Sequence, residues 1–349
     1  MLKIIVQIAL IFLVQGLHAQ VDALKIQIEK ILRYDTPVDF NVVPGIAVGV
    51  IDLDSIYTLS FGNNIDQNGI YELGSVTKPI VAWLVNKALD SLGMENDTPI
   101  CSFLPDSICT ASWQKLTINE ILNHRTGLPR MPAKIGELES DVRDPYKDYT
   151  QNLFANDLRM ISPVAGMYSY SNIGYAMLYW FFQKVGGIDF FAKKMLTDPY
   201  SMRDTKWSVD PLAISPGFGM DGRPQPPWNT NALMTAIGLK SSLNDLLAFI
   251  NLSIRQYSGK LNEKDLKKEI KTLSKSHQFK VVDGWFVIQH GNSIVFYHTG
   301  RTGGHQVSVA FIPKMKKGVV VISNGALGSN DLSLLILRML RKEHLKRTR

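Results

Sequence analysis

Short apolar runs bounded by turn residues are concentrated at the two ends of the chain, and that distribution constrains the fold more than any other feature. After Pro44-Gly45 come IAVGVID and IYTLSFG, joined at Leu53-Asp54-Ser55. From Val281 onward come GWFVIQHG, SIVFYHTG, QVSVAFIP and GVVVISNG, with turns at Gly291-Asn292 and around Lys314 to Gly318. Runs of this length, rich in β-branched residues, read as strands in hairpin connection. The middle, from about Asn96 to Lys275, carries helical segments such as TINEILNH, YSNIGYAMLYWFFQKVGG and SSLNDLLAFINLSI, separated by Pro- and Gly-containing loops. Helices are also expected around Val21 to Arg33 and from about Asp331 to Leu345. Strands far apart in sequence bury their apolar faces together if both chain ends join one antiparallel sheet with the helical stretch inserted. The expected class is therefore α/β (α+β): an antiparallel sheet flanked by helices, built from residues 20–90 and 276–349, plus a mainly helical second domain over 91–275.

The first 19 residues read differently. Lys3 precedes an apolar run from Ile4 to Val14, and Leu17-His18-Ala19 supplies a small-residue exit. The run is short of the roughly 20 apolar residues that span a bilayer and contains Gln7, so it is expected to be a cleaved signal peptide. The mature protein is then periplasmic or secreted, with no stable membrane insertion. In that compartment a disulfide persists, and Cys101 and Cys109, the chain's two cysteines, suit a small structural clip better than a metal site, with no histidine at ligand spacing beside them. The net charge of +7 is mostly terminal: Arg338 to Arg349 holds six Lys or Arg against Glu343. A body close to neutral argues against nucleic-acid binding.

Chemistry is suggested first by Ser75 and Lys78 in ELGSVTKPIVAWLVNKALDSLG, where Ile80, Val81, Leu84, Ala88 and Leu89 fall on one helical face. A serine hydroxyl needs a base to act as nucleophile, and a lysine serves when its surroundings lower its pKa. Residues three apart on a helix share a face, and the helix start offers free N–H groups to an oxyanion. Pro79 is tolerated in that first turn. The pattern is weak alone, since about one or two S-x-x-K are expected by chance. Ser112-Trp113-Gln114-Lys115 is a second match with no apolar helix behind it, the following Leu116-Thr117 opening a helix of its own. Tyr170-Ser171-Asn172, the one Y-x-N in the chain, adds an acid or base and an amide, although Ser171 or Asn172 equally suits a helix N-cap. His298-Thr299-Gly300 ends an apolar strand, where a small residue lets a substrate lie along the edge and His298 brings a donor or a titratable group. Neither H-E-x-x-H nor a phosphate-cradling glycine loop is present, so no metal or organic cofactor is expected.

In this order ELGSVTK, YSN and HTG resemble the three signatures of the serine β-lactamase and D-alanyl-D-alanine carboxypeptidase family, on its class C and esterase-like branch. PGIAVGVID, LTINEILNHRTGLP, GLKSSLNDLLAFI, DGWFV and GVVVISNG extend the likeness from about Pro44 to Gly325. The resemblance implies an active site in a cleft between sheet and helical regions. It implies acylation of Ser75, proton abstraction involving Lys78, a phenolic acid or base at Tyr170, and Asn172 positioning substrate and Lys78. Thr299 and Gly300 would line the strand edge, with the Ser75 and Arg301 N–H groups forming an oxyanion hole. His298 stands where β-lactamases of this branch usually carry Lys, a variant more typical of peptidase-like and esterase-like members. Arg301 either meets a substrate carboxylate or points to solvent, and loop packing is the expected role of His305. The expected activity is an exported serine hydrolase acting on a D-amino-acid peptide, an amide or a small ester. A true β-lactamase and a catalytically silent binding protein of the same fold are the alternatives. The partner is a small-molecule or peptide substrate; oligomeric state is not legible.

Overall fold

The computed structural model of the chain describes residues 20–138, 140–260, 263–272, 279–326, 328 and 330–347. The segment expected to be a signal peptide, residues 1–19, lies outside the described residues. The strands expected at both chain ends form one seven-stranded antiparallel sheet. Strands β1 (Gly45–Asp52) and β2 (Ser55–Gly62) precede the Ser75 segment, and β3 (Tyr71–Glu72) pairs outside the main sheet with β4 (Lys240–Ser241). The late strands are β5 (Lys280–Val282), β6 (Trp285–His290), β7 (Ser293–Arg301), β8 (Gln306–Ile312) and β9 (Lys317–Ser323). The spatial order β2-β1-β9-β8-β7-β6-β5 joins the two chain ends through β1 and β9, with Val48 opposite Val321.

Alternation along β1 sends residues to two separate cores. Ala47 and Ile51 join a core that includes Leu247 and Ile250, while Ile46, Val48 and Val50 join one containing Leu24, Ile28, Leu332 and Ile336. The first face is covered by the helix Leu243–Lys260, drawn from the inserted stretch. It lies so close that a β-carbon on Gly49 would come within 2.7 Å of Leu247. The opposite face is covered by a helix over residues 20–34 and by the C-terminal helix Leu332–Arg347. Both faces being dry explains why the strands read as near-continuous apolar runs.

In the inserted stretch, Thr117 and Glu120 form a reciprocal capping box that opens a helix at Ile118–Leu122. The Ser112 hydroxyl pairs with Thr110 and Lys115 is exposed in a 3-10 turn, so the second S-x-x-K match assembles no site. Cys101 and Cys109 are joined in a disulfide. No described helix is long and apolar enough to cross a membrane.

Candidate active site

Ser75 lies in a 3-10 turn, Gly74–Val76, that runs directly into the helix Thr77–Leu92. The first four residues of that helix are fully or almost fully buried, Lys78 among them, because the Ile80, Val81 and Leu84 face drives the helix start into the core. Lys78 Nζ lies 3.1 Å from Ser75 Oγ and 3.1 Å from the carbonyl oxygen of Ala236. No carboxylate pairs with it among the described residues. Burial holds the amine well below the ordinary lysine range, and the nearby Arg130 charge lowers it further. The fold therefore favours the uncharged amine, the form a base requires, beside a hydroxyl.

Tyr170 reaches the same point from the central stretch. Its phenol lies close enough to Ser75 to feel it electrostatically, and Lys78 Nζ stands 5.0 Å from the centroid of its ring. Burial pushes the phenol up to about 12, against the pull of the Ser75 hydroxyl and the Arg130 charge. It therefore keeps its proton at neutral pH and can donate it. Ser171, not Asn172, caps the following helix Asn172–Val185, its Oγ accepting the Gly174 N–H at 3.2 Å. Asn172 is buried, donates to Met131 Sδ at 2.8 Å, and its Oδ1 has no partner among the described residues. The Lys78 contacts above do not include it.

The third segment arrives on β7. Pairing with β6 ends at Phe286 opposite Tyr297, leaving residues 298–301 without a β6 neighbour, while the other edge continues against β8 from Tyr297–Ala310 to Arg301–Gln306. Gly300 is needed for a reason beyond room for substrate. A β-carbon there would come within 2.0 Å of the Leu73 carbonyl oxygen and 2.9 Å of Ser75 N. On Gly74, whose φ is +50°, it would come within 2.7 Å of Arg301 N. These two glycines let the Ser75 turn and the end of β7 approach backbone to backbone. The Arg301 side chain is exposed.

His298 is buried, with Nδ1 2.8 Å from the Thr299 carbonyl oxygen. A carbonyl only accepts, so Nδ1 carries the proton and Nε2 is a lone pair with no partner among the described residues. Burial, then the Lys78 charge, lower this imidazole to about 3. Of the two options open to it, donor or titratable group, the site leaves it neutral throughout the physiological range.

Four participants were not singled out in the sequence. The Ala236 carbonyl anchors Lys78. Arg130, exposed, lies 5.1 Å from the centroid of the Tyr170 ring. His124 packs its ring 4.4 Å from that of Tyr170. Glu72, buried on β3, accepts from Trp228 N at 2.7 Å and Thr302 Oγ1 at 2.9 Å, with His305 Nδ1 at 3.2 Å. That cluster ties the loop after β7 to the strand before the nucleophile and gives His305 the packing role expected of it. ELGSVTK contains Glu72 and LTINEILNHRTGLP contains His124, with Arg130 directly after that segment; the fourth is a main-chain oxygen that any residue could supply.

The family model for beta-lactamase matches residues 35–340. Among curated proteins, the chain is 23% identical over 342 residues to an unguisins hydrolase of Aspergillus violaceofuscus, an alignment covering 82% of this chain and 59% of that one. It is 22% identical over 348 residues to a beta-lactamase of Escherichia coli K12, covering 84% and 87%. The chain thus spans about three fifths of the length of the fungal relatives it matches. Among solved structures, a class C beta-lactamase in complex with cefoxitin superposes with a TM-score of 0.72 at 18% identity, covering 93% of this chain and 99% of that one. An octameric penicillin-binding protein homologue from Pyrococcus abyssi gives 0.71 at 22% identity, covering 93% and 77%.

Proposed function

The chain belongs to the beta-lactamase family, and we propose that it is a serine hydrolase that forms an acyl-enzyme on Ser75 with a D-amino-acid peptide, an amide or a small ester as acyl donor. The observation that carries this is the buried Lys78 amine, held well below the ordinary lysine range, 3.1 Å from the Ser75 hydroxyl. Lys78 takes the Ser75 proton as Oγ attacks the substrate carbonyl, and the developing oxyanion is met by the Ser75 and Arg301 N–H groups. Tyr170, protonated at neutral pH, gives its proton to the leaving group as the carbonyl–heteroatom bond breaks, and recovers one from the Lys78 ammonium. Lys78 is thus the base of acylation and Tyr170 its acid. Water then attacks the ester on Ser75, with the proton transfers reversed.

Neutral His298 places no cation at the head of the third segment, which favours a peptide, amide or ester over a β-lactam. The charges at the mouth are instead the exposed Arg130 and Arg301. Asn172 and the free edge over residues 298–301 would receive the donor, the unpartnered Oδ1 offering it an acceptor. Export to the periplasm or outside the cell is part of the proposal, supported by the bonded Cys101 and Cys109.

Intact-mass measurement after exposure to a fluorophosphonate tests the nucleophile: one adduct on the wild type and none on Ser75→Ala. Equal labelling of both, or of neither, rejects the assignment. Turnover of D-Ala-D-Ala peptides, p-nitrophenyl esters and cephalosporins then ranks the donors, and a preference for cephalosporins would replace the peptide or ester reading with the β-lactamase one.

A further inference from the structure

His124 is a buried titratable residue for which the acylation steps above have no use. It follows the short helix Ile118–Leu122 with a left-handed backbone, φ +56°, a conformation uncommon outside glycine. Two hydrogen bonds run from it to either side of Tyr170. The Ser169 N–H donates to its carbonyl oxygen at 2.9 Å, and the Ser171 N–H donates to its Nδ1 at 3.1 Å. Its ring lies 4.4 Å from that of Tyr170 and 5.1 Å from that of Tyr175, which is itself anchored to the Leu122 carbonyl oxygen at 2.8 Å. Because Nδ1 accepts from a main-chain amide, the neutral ring carries its proton on Nε2, and that atom is buried with no partner among the described residues. The charged and titratable groups around it are Lys78, His298, Tyr170 and Tyr175, and no carboxylate among them would stabilise an imidazolium.

We propose that His124 is a positioning residue for acyl transfer: it clamps the main chain on both sides of Tyr170 and backs the face of its ring, fixing the phenol against Ser75. This rests on the acyl-enzyme reading above and adds a residue to it. The His124 carbonyl oxygen and Nδ1 bracket Tyr170 from a left-handed turn. Burial above all holds the imidazole well below the ordinary histidine range, so the clamp stays in its accepting form across physiological pH.

The experiment compares His124→Asn, which tolerates the left-handed backbone and keeps a side-chain acceptor, with His124→Gly, which tolerates it and keeps neither ring nor acceptor. Each is made alone and with Tyr170→Phe. Two readouts are taken: the rate of fluorophosphonate labelling at Ser75, and the titration of the Tyr170 phenol by NMR of 13C-labelled tyrosine, assigned by its loss in Tyr170→Phe. His124→Gly should slow labelling by about 10- to 100-fold, a part of what a general acid contributes, and slow it little further once Tyr170 is Phe. His124→Asn, which keeps the acceptor and loses the ring, should lie between the wild type and His124→Gly. The phenol should titrate at about 12 in the wild type and His124→Asn, and fall toward the ordinary tyrosine value of about 10 in His124→Gly. Additive effects in the double variant, an unmoved phenol in His124→Gly, or an Asn variant as slow as the Gly variant would each overturn the proposal. If the glycine variant does not fold, His124→Ala takes its place in the same comparison. A wild type that does not label would refute the acyl-enzyme, while the phenol titration, which needs no turnover, would still judge His124.

Discussion

Lys78 can be a base at neutral pH because its surroundings favour the uncharged amine: the ring faces of Tyr170 and Tyr175 at 5.0 and 5.9 Å, a carbonyl, and the Arg130 charge in place of a carboxylate. Removing it as Lys78→Ala should cut Ser75 labelling by about 10²- to 10⁴-fold, the range of a lost general base, in protein that remains folded. An equal rate would transfer the role to another group. Arg130 gives a finer test, since its charge lowers both Lys78 and Tyr170. Arg130→Gln raises both pKa values, so the acid limb, where Lys78 gains a proton, and the alkaline limb, where Tyr170 loses one, should both move to higher pH. A profile of labelling rate against pH that stays in place, or moves downward, would remove Arg130 from the electrostatics of the site. These residues differ in how readily the sequence betrays them. Ser75 and Lys78 are legible because three-residue spacing on a helix is a local rule, and Tyr170 and His298 because each sits in a short distinctive segment. Arg130, His124 and Glu72 act through contacts with distant parts of the chain, which spacing does not encode, and the Ala236 carbonyl has no side-chain identity to find.

At the scale of elements, two glycines do opposite jobs. Gly49, in the middle of β1, admits Leu247 from the covering helix, whereas Gly300 on β7 admits the main chain of the nucleophile turn. Gly49→Ala pushes against a side chain that can turn aside, so it should cost about 1–3 kcal/mol of stability and leave the labelling rate of the folded protein unchanged. Gly300→Ala pushes against the Leu73 carbonyl oxygen at 2.0 Å, and main chain cannot yield without moving Ser75. A displacement on the order of 1 Å costs about 100-fold in rate, and labelling should fall by that much even where the midpoint barely changes. Labelling at the wild-type rate in Gly300→Ala would mean that the close approach is dispensable. The six long strands and their hairpins were expected from apolar runs and turn residues, and all appear within a residue or two of their expected ends. The two-residue strands β3 and β4 were not, because two residues carry no periodicity; their pairing of Glu72 with Lys240 arises from the tertiary packing around the site.

The whole molecule bears the cost of keeping one amine uncharged. The Ser75 turn, the central Tyr170 segment and the end of β7 come from three distant parts of the chain, and closing them over Lys78 strips its water. In the unfolded chain that amine titrates near 10.5, and in the fold it titrates well below that. Between the two values the unfolded state holds a proton that the native state lacks, so this residue makes stability rise with pH through that window. Lys78→Met keeps most of the volume and removes the ionisation. It should therefore melt above the wild type at neutral pH, with the gap narrowing toward pH 10.5 as the unfolded lysine also loses its charge. Thermal midpoints of both proteins across that range test this, and parallel curves would show that Lys78 is protonated in the fold. That result would remove the base from the proposed chemistry as well, because the interaction that makes the amine reactive is the same one that makes it costly to bury.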